Sequence, residues 1–220
     1  VDEAEVALRA VERLLAGASL QSGDWPAEFE RQFAGRPAAR AALQGALLDL
    51  EARRAGRPLS AHLAVRAGST CGAPLSRVPV SALLTARDPK ALLAGAVLAR
   101  ESGCRAVKIK LGDGEVMSDV ARLRAVREAI GPSVRLRGDA NGAWSVRDAL
   151  AALEAFAPFD LEYVEQPVAA HDIDGMAELR RHAAVQVAAD ESVASEHGML
   201  RLVAAGAADV VVLKPAALGG

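Results

Sequence analysis

The sequence is poor in the residues that would mark it as secreted, membrane-spanning or nucleic-acid-binding. It has two cysteines, Cys71 and Cys104, which excludes a disulfide framework and fits a reducing cytosol. No apolar run approaches the roughly 18 residues that a membrane span requires. Basic residues are neither in excess nor in blocks: 26 Lys plus Arg stand against 28 Asp plus Glu, a formal net charge of -2. No nucleic-acid or membrane partner is therefore expected. Aromatic residues make up 3%. Lysine is scarce among the basic residues. Only Lys90, Lys108, Lys110 and Lys214 occur, and every other basic residue is Arg. Arginine supplies the general positive charge here, so each lysine is an informative choice.

What is present is enough apolar material for a core, 51% of 220 residues. Residues 1–18 carry apolar side chains at helical spacing, and 19–36 read as a loop. A helix is expected over 38–55 with Gly56 as its stop, followed by a connection over 57–76. From residue 78 the pattern becomes short apolar strands, at 78–84, 106–111, 134–138, 161–165, 185–189 and 209–213. Amphipathic helices near 88–102, 116–130, 145–156, 172–183 and 196–205 separate them, with Ser145 and Ser195 in N-cap positions. Such alternation predicts a parallel sheet with helical crossovers. Successive strands end at Lys110, Asp139, Glu165, Asp190 and Lys214, spaced by 29, 26, 25 and 24 residues. A unit of about 25 residues is that of a (β/α)8 barrel. A doubly wound open sheet is the rival, but it calls for a Gly-rich phosphate loop after its first strand, where this chain has Thr85-Ala86-Arg87-Asp88.

The strand ends carry the chemistry. Lys108 and Lys110 alternate with Ile109 and so share one face of their strand. Asp139, Glu165 and Asp190 end the next three strands. Singly each has a bland reading as a turn acid or a helix-start acid. Together, three carboxylates on strands about 4.8 Å apart repel unless a cation lies among them. Hard oxygen donors without His or Cys favour Mg²⁺, with Mn²⁺ possible. Lys214, four strands on from the lysine pair, belongs on the opposite wall of an eight-strand barrel. A cation between opposed amines suits proton abstraction beside a carboxylate in a small carboxylate substrate. Lys108 would tune Lys110, the general base, whose pKa must fall for that role. Lys214 would be a second acid/base or a stabilising cation. His62, His171, His182 and His197 share no ligand spacing and read as surface or helix residues. Cys71 and Cys104 read as packing residues.

Lys108-x-Lys110, Asp139-Ala140-Asn141, Glu165-Gln166-Pro167, Asp190-Glu191-Ser192 and Lys214 after the sixth strand resemble, in order, the motifs of the enolase superfamily, muconate-lactonizing subgroup. The resemblance covers about residues 38–220. It implies Mg²⁺ on Asp139, Glu165 and Asp190, with Lys110 and Lys214 flanking the substrate. Asn141 and Glu191 would support the metal or bind substrate, and Glu191 reads equally as a helix-start acid. The mandelate racemase pattern, with a His-Asp pair in place of the second lysine, is not matched.

Leu213-Lys214-Pro215 leading to Gly219-Gly220 is most similar to the o-succinylbenzoate synthase family of menaquinone biosynthesis. That likeness implies syn dehydration of 2-succinyl-6-hydroxy-2,4-cyclohexadiene-1-carboxylate through an enediolate, in the cytoplasm. N-succinylamino acid racemases, dipeptide epimerases and muconate cycloisomerases share these positions. The rivals of other classes are a Schiff-base lyase using Lys214 and an inactive barrel fragment.

The architecture expected is an α/β (β/α)8-type barrel, truncated after its sixth strand, over residues 77–220. The resemblance also implies part of an α+β capping domain, its helical portion at 1–56, which together with a connection occupies 1–76. On that reading the 220 residues are a piece of a protein of about 320–370 residues, counting two further barrel units and a capping sheet.

Overall fold

The computed structural model describes residues 2–15, 31–68 and 74–220. The chain divides into two compact units. One comprises residues 1–78 with 214–220, the other residues 79–213.

In the first unit, α1 (Asp2–Leu15) and α2 (Pro37–Arg54) are amphipathic helices. They bury Ala7, Val11, Phe33, Ala39 and Leu43 in a small core of their own. Gly56, at φ 64°, follows the end of α2 as expected, because a left-handed residue there costs glycine little. The expected loop over 19–36 and the packing role of Cys71 fall largely outside the described residues; residues 31–33 are helical.

The expected connection over 57–76 instead contains a helix, α3 (Leu59–Arg66). Gly56, Pro58 and Gly68 flank it rather than interrupt it, and Pro58 sits at its N-cap, where proline is tolerated. His62 on α3 is buried and bonds Glu51 of α2 at 3.1 Å, which holds the two helices together. The unit also contains α9 (Pro215–Leu218), labelled here by its place at the end of the chain, which packs on α2. Arg40 donates to the Gly219 carbonyl at 2.7 Å.

The second unit is the strand–helix alternation: β1 (Ser81–Leu84), α4 (Pro89–Glu101), β2 (Ala106–Lys110), α5 (Val116–Ile130), β3 (Arg135–Asp139), α6 (Val146–Phe156), β4 (Leu161–Glu165), α7 (Ile173–His182), β5 (Val187–Ala189), α8 (Glu196–Ala205) and β6 (Val210–Val211). The six strands lie in sequence order and every neighbouring pair is parallel. β1 and β6, each with one neighbour, are shorter than the apolar runs at 78–84 and 209–213. The helix boundaries match the expected ones to within a residue or so. Ser145 and Ser195 accept from the backbone N–H of Asp148 and Gly198 as N-caps, and Asp88 and Asp172 do the same for α4 and α7.

One face of the sheet is apolar and covered by helices. Val107, Ile109, Leu136, Val164 and Val187 are fully buried, with Leu123, Val126, Leu153, Phe156, Met176 and Leu179 from the helices. Each such side chain contributes roughly 1.5–3 kcal/mol. Gly138 is forced by this packing: a Cβ there would collide with the Leu111 side chain and press on Val164. Arg127 ties the N-terminal ends of the strands, donating to the carbonyls of Phe159, Gly131, Val134 and Asp160 at 2.8–3.0 Å.

Candidate active site

The opposite face of the sheet is polar, because period-2 alternation sends every second residue there. β2 contributes Lys108 and Lys110, β3 Arg137 and Asp139, and β4 Tyr163 and Glu165. Lys110, Asp139 and Glu165 lie in one row across the three strands. Glu165 is paired with Ala188, so Asp190 stands two residues further along its strand. The offset is even, so it keeps Asp190 on the same face. The acids are therefore phased by face, with Asp190 a step of about 6–7 Å beyond the others.

Asp139, Glu165 and Asp190 are all buried, at 3%, 0% and 4% exposure. Lys108 Nζ donates to Glu165 Oε2 and Oε1 at 2.8 and 3.0 Å and lies 3.3 Å from Asp139 Oδ2. Lys110 Nζ donates to the same Asp139 oxygen at 2.9 Å and to Asn141 Oδ1. Asn141 Nδ2 in turn donates to Glu191 Oε1 at 2.8 Å. The two ammonium groups thus share a carboxylate, which relieves the repulsion expected from their alternation. Burial alone would lower the Lys108 pKa, but Glu165 and Asp139 outweigh it and raise it above its ordinary 10.5. Lys108 is a fixed cation. Burial raises the Glu165 pKa. Lys108 opposes that rise, whereas a hydrogen bond with Asp190 and the charge of Asp139 add to it.

Several supporting residues were not apparent from the sequence. Asp119, buried at the start of α5, accepts from Gly112 N at 2.8 Å and from Arg122 Nη1 at 2.9 Å. The same Arg122 nitrogen donates to the Lys110 carbonyl at 2.9 Å. Arg122 and Asp119 thereby hold the backbone on which Lys110 stands; an Asp three residues before an Arg at a helix start was the only signal. Below the carboxylates, Arg137 bonds Glu162 at 2.5 Å and lies over the Tyr163 ring, 5.1 Å from its centroid. Glu162 reaches this face because the β3–β4 register shifts between Leu136 and Arg137. Gln166 follows Glu165 and is fully buried. A hollow of about 370 Å³ lined by Ser81, Arg105, Ser133, Arg135 and Arg137 lies at the N-terminal ends of the strands. Barrel chemistry is built at the C-terminal ends, where Lys110, Asp139 and Glu165 stand.

Three buried carboxylates, without His or Cys, and with the Glu165 pKa raised by burial and further by Asp190 and Asp139, make a donor set whose chemistry fits a hard divalent cation. Among the described residues no group of three or more His, Cys, Asp and Glu side chains is already arranged to hold a metal ion. Here Lys108 supplies the counter-charge between Asp139 and Glu165. Lys214 follows β6 by three residues and stands at the N-cap position of α9 in the first unit, without a capping side-chain bond. Among the described residues no helix is long and apolar enough to cross a membrane.

Parallel strands in sequential order with helical crossovers, and acids and lysines at their C-terminal ends, define a segment of a (β/α)8 barrel of the enzyme type. Residues 91–220 match the enolase C-terminal domain-like family, and the chain belongs to it. An o-succinylbenzoate synthase of Thermobifida fusca is 46% identical over 146 residues, 65% of this chain and 44% of that protein. A hydrophobic dipeptide epimerase of Enterococcus faecalis is 35% identical over 184 residues, 84% of this chain and 49% of that one. Among solved structures, a dipeptide epimerase from Cytophaga hutchinsonii complexed with Mg and the dipeptide D-Ala-L-Val superposes with a TM-score of 0.77 at 30% identity. That match covers 87% of this chain and 50% of that one. The chain thus spans about half the length of these relatives.

Proposed function

We propose that the protein catalyses Mg²⁺-dependent syn dehydration of 2-succinyl-6-hydroxy-2,4-cyclohexadiene-1-carboxylate to o-succinylbenzoate, in menaquinone biosynthesis in the cytoplasm. The observation that carries the reading is the shared grip of Lys108 and Lys110 on Asp139, in one row with Glu165 at the C-terminal strand ends. The likeness to an o-succinylbenzoate synthase supports the choice of substrate.

Asp139, Glu165 and Asp190 would hold the metal. A bound divalent cation supplies positive charge that binds the substrate carboxylate and favours loss of the α-proton. Lys110 Nζ, as the free amine, takes the α-proton and leaves the C–H electron pair on the substrate as an enediolate; that pair then forms the new ring double bond as the hydroxyl leaves. The ammonium of Lys110 then returns that proton to the departing hydroxide, so water is the only other product and the base is regenerated. Lys108, held protonated by Glu165 and Asp139, keeps a fixed positive charge beside Lys110. Asn141 and Glu191 orient the Lys110 side chain. Lys214 would supply a second cation to the anionic intermediate, by cation–π contact with the ring system.

The likeness to a hydrophobic dipeptide epimerase favours a second reading, epimerisation of a dipeptide, in which Lys110 and Lys214 would exchange one α-proton. The test is to assay one preparation, with Mg²⁺, against the cyclohexadiene acid, an N-succinylamino acid and a dipeptide. Dehydration with the highest kcat/KM supports the first reading. Turnover of the dipeptide alone replaces it with the second, and borohydride trapping of a substrate on Lys214 would replace both with Schiff-base chemistry.

A further inference from the structure

Gln166 is fully buried at the end of β4, between Glu165 and Pro167, and its backbone has φ 42°, a left-handed conformation uncommon outside glycine. Something must hold it there, and its side chain does so to capacity. A primary amide offers two donors and two acceptor sites, and all four are used. Nε2 donates to the Val168 carbonyl and to Ser192 Oγ, both at 2.9 Å. Oε1 accepts from the backbone N–H of Asp190 and of Ser192, both at 3.1 Å. Two backbone N–H groups can only donate, so the orientation of the amide is unambiguous.

The backbone of the same residue extends the arrangement. Its N–H donates to the Ala188 carbonyl at 2.8 Å, and its carbonyl accepts from Gly142 N at 2.6 Å. Ser192 Oγ passes its own proton to the Ala170 carbonyl at 2.8 Å. One residue therefore joins the segments that follow β3, β4 and β5, which carry Asn141, Asp190 and Glu191 and adjoin Glu165. The β4–β5 ladder itself does not reach that far: its last pair is Glu165 with Ala188, and Asp190 lies two residues beyond. From β4, the Gln166 amide holds the backbone at Asp190.

We propose that Gln166 is a positioning residue that sets where the Asp190 carboxylate stands relative to Glu165, and through that the affinity of the site for a divalent cation. The affinity part rests on the reading of Glu165 and Asp190 as metal ligands. The side chain touches no reacting atom. It acts by turning a two-residue step past the end of the ladder into a defined position.

The test uses Gln166→Met, which keeps the length and removes all four bonds, and two measurements. Amide hydrogen exchange at Asp190 and Ser192 should accelerate about tenfold, from loss of one hydrogen bond each, while amides in β2 and β3 keep their protection. The Kd for Mg²⁺ by calorimetry should rise about tenfold. Ser192→Ala, which loosens the amide without touching Gln166, should shift both in the same direction by a smaller factor, and it serves if Gln166→Met does not fold. Unchanged exchange at Asp190 with unchanged Mg²⁺ affinity, in a protein that binds Mg²⁺, overturns the role of Gln166. A parent protein that binds no Mg²⁺ overturns the ligand reading and the affinity part with it, and the exchange rates still decide whether Gln166 holds Asp190.

Discussion

The ammonium of Lys108, on β2, bonds both oxygens of the Glu165 carboxylate, on β4, at 2.8 and 3.0 Å, reaching across β3. In the metal-free protein this bond balances a carboxylate with no exposure to water. Lys108→Met should therefore cost about 3 kcal/mol in urea denaturation, the lower end of the range for breaking a buried pair. Mg²⁺ should raise the melting temperature of the variant more than that of the parent, since it would replace the missing charge. Equal stability of the two proteins without metal would show that Lys108 does not neutralise the cluster.

The same pair has a pH signature. The folded-state pKa of Lys108 is raised above 10.5, so the folded protein retains this proton after the unfolded chain has begun to lose it. Its contribution is complete below pH 10.5 and disappears as pH rises through the folded-state value. Unfolding free energy measured from pH 9 to 12 should fall more steeply for the parent than for Lys108→Met. Parallel curves would contradict the assignment.

Lys110→Ala and Asp139→Asn should separate proton transfer from metal binding. Lys110→Ala should abolish dehydration, and solvent deuterium exchange at the substrate α-carbon, while binding Mg²⁺ at least as well as the parent. Asp139→Asn should bind Mg²⁺ more weakly by tenfold or more. Full activity of Lys110→Ala would end its assignment as the base.

Arg122→Ala removes the bridge between Asp119 and the Lys110 carbonyl. A fall in kcat of about tenfold is expected, with KM little changed, since Arg122 acts through the placement of Lys110. Asp119, 3% exposed, would also lose its charged partner, at a cost of roughly 1.5–3 kcal/mol. Steady-state kinetics and urea denaturation measure the two effects.

Gly138→Ala adds one methyl group between Leu111 and Val164. Overpacking should cost about 1–3 kcal/mol, and Leu111→Ala in the same chain should recover part of it. Additive losses would mean that the crowding lies elsewhere.

Lys108-Ile109-Lys110 shows in the sequence that the two lysines share one face, because period-2 alternation is a property of the chain alone, and the regular repeat puts the acids at strand ends; that the acids share the lysines' face follows from the pairing. The same locality made the helix boundaries and the Ser145 and Ser195 caps legible, since a cap depends on residues three apart. The helix over Leu59–Arg66 is not legible in the sequence, because Gly56, Pro58 and Gly68 punctuate its flanks and mask a short run of helix formers. A regular repeat counts residues and so puts Asp190 level with Glu165, whereas register is set by pairing, which places Ala188 opposite Glu165.

By itself the sequence determined the alternation, the common face of Lys108 and Lys110, and the order of motifs that places the chain in its family. Which carboxylate each lysine holds was decided only by tertiary structure, as were the four bonds of Gln166 and the reach of Arg122 to Lys110. Lys108 and Glu165 are 57 residues apart; they meet because the strand between them is paired on both edges, and no local rule of spacing contains that distance.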